Sequence, residues 1–102
     1  MIYTLTFNPS IDYEMSLDNI SIAHTNRSKH EKYRLGGKGI NVSYVLKQLG
    51  FESTILGFYG GFVGEEIKKR IQENNMIEQL IRLEEGISRI NVKSYYFLEF
   101  FF

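Results

Sequence analysis

The chain has 102 residues, which bounds it to one small domain. Twelve basic and twelve acidic residues cancel, so no global charge calls for nucleic acid or a membrane surface as partner. Cysteine is absent, which excludes a disulfide framework and a thiolate metal site and is compatible with a reducing cytoplasm. Met1-Ile2-Tyr3-Thr4 has no basic lead into an apolar stretch, and no apolar run approaches the roughly 20 residues of a spanning helix.

Ile2 to Phe7 is rich in β-branched and aromatic residues and predicts a first strand. Asn8-Pro9-Ser10 ends it, because Pro9 cannot donate to a central ladder. Asp12 is expected just beyond that strand's carboxyl end. Residues 13–17 and 27–35 predict two short polar strands, a poor core and a plausible flap or edge. Residues 39–49 predict a helix whose apolar face is Val42, Val45, Leu46 and Leu49, stopped by Gly50. Ser53 to Phe58 predicts a strand with a continuous apolar centre. Residues 65–74 predict a second helix with Val63, Ile67 and Ile71 as its inner stripe. Glu65–Lys69 and Glu66–Arg70 are spaced for i,i+4 pairing, and Asn74-Asn75 closes the helix. Residues 78–83 and 89–93 predict two further strands. Such alternation argues for an α/β domain with a mainly parallel sheet, whose ligands sit outside the carboxyl ends of the strands.

The strongest local signal is Gly36-Gly37-Lys38-Gly39 at the head of the first helix. Glycines allow close approach of backbone to ligand, a helix start presents unpaired N–H groups, and Lys38 adds a cation. The combination suits a phosphate; a simple tight turn is the alternative. The spacing is not that of a Walker loop. It is not a dinucleotide fingerprint either, whose third glycine would fall at Val42.

Three segments together resemble a known family: Thr6-Phe7-Asn8-Pro9-Ser10-Ile11-Asp12, Gly36-Gly37-Lys38-Gly39-Ile40-Asn41-Val42 and Arg89-Ile90-Asn91-Val92-Lys93. Their order and spacing are similar to the N-terminal third of the ribokinase-like (PfkB) sugar kinases. The resemblance is greatest to bacterial 1-phosphofructokinases, with tagatose-6-phosphate kinases close behind. It implies the N-terminal portion of a ribokinase-like α/β fold over residues 1–93, with lid strands at about 13–17 and 27–35.

The resemblance also implies an activity, transfer of the ATP γ-phosphoryl to fructose 1-phosphate with Mg²⁺ alongside. Tagatose 6-phosphate is the alternative acceptor. A non-catalytic remnant that binds a sugar phosphate or dimerises is the third reading. By resemblance, Asp12 accepts hydrogen bonds from sugar hydroxyls, Gly36, Gly37 and Gly39 let backbone approach the sugar, and Asn41 supplies a donor and an acceptor. Lys38 and Arg89 would neutralise the substrate's phosphate, and Arg27 in the lid could reach it. On the residues alone, Asp12 reads as a turn aspartate, Asn41 equally as a helix-start residue, and Arg27, Lys38, Arg89 and Lys93 as solvated charges. The family's lid also makes a homodimer contact, and its members act in the cytoplasm.

The family's catalytic aspartate lies in a Gly-Ala-Gly-Asp motif. This chain has two aspartates, Asp12 and Asp18, neither in such a motif. No catalytic base, ATP-binding residue or metal ligand is therefore expected here, and the chain alone is expected to be inactive. Six of the fifteen aromatic residues crowd the last eight positions, where the resemblance stops. For residues 94–102 a frameshift or truncation is the leading expectation, and a buried aromatic strand the other.

Overall fold

The computed structural model describes residues 1–96. In chain order it has β1 (Tyr3–Thr6), β2 (Ser10–Leu17), β3 (His30–Gly36), α1 (Lys38–Gln48), β4 (Thr54–Tyr59), α2 (Gly61–Glu73), β5 (Ile77–Arg82) and β6 (Arg89–Tyr96). The aromatic segment 97–102, for which a strand or an out-of-frame tail was expected, lies outside the described residues. Among the described residues no helix is long and apolar enough to cross a membrane.

Two three-stranded sheets result. The central sheet runs β1-β4-β5, all parallel, as the strand–helix alternation requires. The lid sheet runs β3-β2-β6, with β3 antiparallel and β6 parallel to β2. The segment 89–93 therefore belongs to the lid rather than the central sheet, and it extends three residues further than expected. Its partner β2 also starts earlier, at Ser10 instead of Tyr13, so Asp12 is a strand residue rather than a turn residue. Pro9 does end β1; the chain simply re-enters extended backbone one residue later. The lid strand expected at 27–35 begins at His30, which leaves Arg27 in the exposed connection between β2 and β3.

Both helices lie on the same face of the central sheet. The core is Ile11 of the lid, Ile40 of α1, Ile55 of β4, and Val63, Ile67 and Ile71 of α2, with Leu35, Met76 and Leu80 packed against them. The α2 stripe is thus buried as its spacing predicts. Its helix starts earlier than expected, at Gly61, because Gly61 adopts φ +63° after the extended Gly60. Glu65 and Glu66 consequently fall outside the first turn. Arg70 pairs with Glu66 at 2.9 Å, while Lys69 pairs with Glu73 at 3.8 Å instead of with Glu65.

The predicted apolar face of α1 is not the buried one. Gly39, Ile40 and Ser43 face the sheet, whereas Val45 and Leu49 are 54% and 68% exposed and Val42 is also exposed. Small polar residues pack here because α1 is bonded to β1. Thr6 Oγ1 accepts the Ile40 N–H at 3.0 Å, which satisfies one orphan donor of the helix start. One turn on, Ser43 Oγ lies 2.6 Å from Thr4 Oγ1 and accepts from Ser53 Oγ at 2.7 Å. These buried hydroxyls satisfy one another, and no buried side-chain polar atom among the described residues lacks a partner.

Candidate sugar-phosphate site

Alternation along the paired strands sorts the lid sheet into two faces. The register places Ser10, Asp12 and Glu14 of β2 beside Gly36, Arg34 and Lys32 of β3 and Arg89, Asn91 and Lys93 of β6. The opposite face carries Ile11, Tyr13, Met15 and Leu17 beside Leu35, Tyr33, Ile90 and Val92. One face is therefore charged and the other mainly apolar, with Glu31 and Ser94 opposite Met15 as its polar members.

Asp12 is the centre of the charged face. Its Oδ1 accepts from Asn91 Nδ2 at 2.9 Å and from Ser10 Oγ at 2.9 Å, and Asn91 Nδ2 also lies 3.3 Å from Ser10 Oγ. Lys93 Nζ stands 3.7 Å from Oδ2. Partial burial pushes the Asp12 carboxyl pKa up, but the hydrogen bonds from Asn91 and Ser10, followed by the charges of Lys93 and Arg89, outweigh it. The net result lies below the usual carboxylate value. Asp12 is thus a fixed acceptor with Oδ1 occupied and Oδ2 opposed by a single long ion pair. A carboxylate so held can accept further hydrogen bonds from vicinal hydroxyls.

Gly36 is required by this arrangement. A Cβ at Gly36 would collide with Ser10 Oγ and stand 2.7 Å from Asp12 Oδ1. Gly37, the residue that starts α1, adopts φ +129°, which a side chain opposes. Gly39 is buried against β1. The three glycines therefore serve the packing of the loop on β1 and β2, in addition to any approach to a ligand.

A cleft of about 430 Å³ joins the lid to the helices. Asp12, Arg34, Leu35, Ile40, Asn41, Tyr44 and Arg70 are among the residues that line it, so Asp12 and Asn41 share one cleft. Lys38 is exposed on the first turn of α1, three residues before Asn41. Arg89 sits at the start of β6 opposite Ser10 and reaches the Asn8 carbonyl at 3.4 Å. Neither Lys38 nor Arg89 lines the cleft. Arg27 is exposed in the β2–β3 connection, away from Asp12 in the strand register.

Sequence reasoning passed over Ser10, Asn91 and Arg34. The signal for Asn91 was present, since alternating polar residues in Arg89-Ile90-Asn91-Val92-Lys93 mark one strand face. Arg34 and Lys32 both lie 3.5 Å from Glu14. The charged face thus holds four Lys/Arg against two carboxylates, a surplus that suits an anion. Among the described residues no group of three or more His, Asp or Glu is placed to hold a metal ion.

Comparison with known proteins bears on the family and the fold. Residues 5–93 match the model of the pfkB family carbohydrate kinases. A 1-phosphofructokinase from Bacillus subtilis is 46% identical over 93 residues, which are 91% of this chain and 30% of that protein. A D-tagatose-1-phosphate kinase from Bacillus licheniformis is 41% identical over 92 residues, 90% of this chain and 30% of its own length. The structure superimposes on Escherichia coli phosphofructokinase-2 in complex with fructose-6-phosphate with a TM-score of 0.82 at 28% identity, covering 91% of this chain and 30% of that one. The chain thus spans about 30% of the length of the curated relatives it matches. With the ribokinase-like arrangement of sheet, helices and lid in place, the chain belongs to the pfkB family of carbohydrate kinases.

Proposed function

We propose that this chain is the sugar-phosphate-binding part of a kinase that transfers the ATP γ-phosphoryl to fructose 1-phosphate, giving fructose 1,6-bisphosphate. The observation that carries the reading is the charged lid face, a rigidly held Asp12 within a surplus of Arg and Lys. A phosphorylated polyol needs both, an acceptor for hydroxyls and cations for the phosphate. Asp12 and Asn41 hold the hydroxyl side from the cleft. Lys38, Arg89, Lys93 and Arg34 are the cations available to the phosphate. The 46% identity to a 1-phosphofructokinase supports fructose 1-phosphate as the ketose. The 41% identity to a D-tagatose-1-phosphate kinase favours tagatose 1-phosphate as the second reading, in which the lid and phosphate contacts are unchanged.

ATP and Mg²⁺ are the cofactors of this reading, and the ion would supply charge neutralisation at the transferred phosphoryl. This chain's own contribution is binding and orientation of the sugar phosphate. The apolar lid face, with exposed Tyr33, Ile90 and Val92, supports a homodimer through the lid.

Isothermal titration with fructose 1-phosphate, tagatose 1-phosphate and unphosphorylated fructose tests the reading. Binding of a ketose 1-phosphate, lost in Asp12→Ala and absent for fructose, is the expected result. Equal binding of fructose would overturn the phosphate assignment, and no binding of any of the three would overturn the site.

A further inference from the structure

Thr6, the last residue of β1, is buried, and glycines from two other elements make room for it. A Cβ at Gly37 would stand 2.6 Å from Thr6 Cγ2, and one at Gly39 would strike Thr6 Oγ1. Gly57 is its register partner on β4, and a Cβ there would strike the Thr6 carbonyl oxygen. No side chain fits such gaps in a close-packed interior, so Thr6 alone already requires glycine at 37, 39 and 57.

The hydroxyl does what the local sequence cannot. Helix α1 starts from Gly37, which has no side chain with which to cap it. The Asn41 N–H donates to the Gly37 carbonyl at 3.0 Å, so the amides of Lys38, Gly39 and Ile40 have no intrahelical acceptor. Thr6 Oγ1 accepts the Ile40 N–H across 34 residues of sequence. A Ser or Thr at the N-cap ordinarily makes that bond. The helix start therefore hangs on the end of β1 rather than on its own loop. Ile40 is held, and Asn41, the next residue, is held with it at the cleft. The amides of Lys38 and Gly39 are left as the donors of this turn that no helix bond takes. One turn on, Thr4 of the same strand bonds to Ser43 of the same helix, away from the loop.

We infer that Thr6 is the positioning residue of the glycine loop. On the sugar-phosphate reading of the site given above, its hydroxyl sets the affinity for the ligand without touching it. The methyl packs on Gly37 at φ +129°, the hydroxyl holds Ile40, and the loop has one conformation before a ligand arrives. A loop ordered in advance carries no ordering cost into binding.

Three variants of the full chain test this. Thr6→Val keeps the shape and removes the acceptor. Thr6→Ser keeps the acceptor and removes the methyl. Thr4→Val removes the comparable bond to Ser43. Titration calorimetry with fructose 1-phosphate gives the affinity, amide exchange of Ile40 without ligand gives the loop, and the urea midpoint gives stability. Thr6→Val should weaken binding and speed Ile40 exchange at least roughly tenfold each, whereas Thr6→Ser stays within about threefold of wild type in both. Thr4→Val should lower the urea midpoint as Thr6→Val does, with binding and Ile40 exchange unchanged. Equal loss of binding in Thr4→Val and Thr6→Val would make Thr6 a merely structural residue and overturn the inference. So would unchanged Ile40 exchange in Thr6→Val. Should Thr6→Val not fold, Thr6→Ser decides: Ile40 protection retained supports the role of the hydroxyl, and protection lost overturns it. If the wild type binds no ketose phosphate, the sugar-phosphate reading falls, and exchange at Ile40 still decides the role of Thr6.

Discussion

Replacing Asn91 by Leu removes the donor that holds Asp12 while keeping side-chain size. The Asn91 Nδ2 to Asp12 Oδ1 bond is 2.9 Å long, and the acceptor is an ion. Hydrogen bonds to charged groups contribute about 1.5–3 kcal/mol net. Two features place this one at the lower end. Ser10 still donates to the same oxygen at 2.9 Å, and Lys93 remains 3.7 Å from the other. A loss of about 1.5 kcal/mol at pH 7 follows, which at a urea m-value of roughly 1–1.5 kcal/mol/M lowers the unfolding midpoint by about 1 M.

The pH dependence gives the sharper check. The folded pKa of Asp12 is depressed, so its contribution is fully present above the unfolded carboxylate value. It is lost as pH falls through the lower folded value. The wild type and Asn91→Leu should therefore differ at pH 7 and converge as Asp12 protonates. Urea titrations across that range, with Asp12→Asn as reference, measure this. A destabilisation that stays constant with pH would refute the electrostatic account and leave only a packing change.

Other outcomes follow from the same structure. Gly36→Ala should abolish sugar-phosphate binding and cost about 1–3 kcal/mol in chemical denaturation, since the new Cβ overpacks Ser10 and Asp12. Ile67→Ala should cost about 2–5 kcal/mol, because its side chain is fully buried. Leu49→Ala, equally apolar but exposed, should change stability by less than about 0.5 kcal/mol; a comparable loss at both sites would return the predicted α1 stripe to the core. The isolated chain should yield no ATP-dependent product above a Lys38→Ala control in a coupled assay, and turnover by the wild type alone would refute the proposal that it supplies only sugar-phosphate binding.

The α2 stripe was readable because one face of that helix meets one sheet, so spacing and burial agree at Val63, Ile67 and Ile71. In α1 the same rule picked the wrong face. The sheet side is filled by Gly39, Ile40 and Ser43, whose bonds to Thr4 and Thr6 depend on pairing that periodicity does not contain. The glycine loop was legible from composition, but the close approach of Gly36 to Asp12 required the β2–β3 register. Asp12 was singled out by resemblance, and turn chemistry placed it outside the strand it occupies. Asn-Pro-Ser does end a strand, but a strand that restarts at Ser10 leaves no local mark. Asn91 was quoted only as part of a motif and given no role of its own, because its partner Asp12 is remote in sequence.

That remoteness has a kinetic consequence. Asn91 bonds to Asp12 across 79 residues, and β6 completes the lid only by pairing with β2. Contacts of such separation close late, after local helices and neighbouring strands have formed, because the loop entropy must be overcome first. On the ribosome, β1, the β2–β3 hairpin, both helices and β5 can all be present while Asp12 still lacks its Asn91 donor. Sugar-phosphate recognition should therefore arise in a single late step, when residues 89–93 emerge, and nascent chains halted before that point should be folded in part and blind to the ligand.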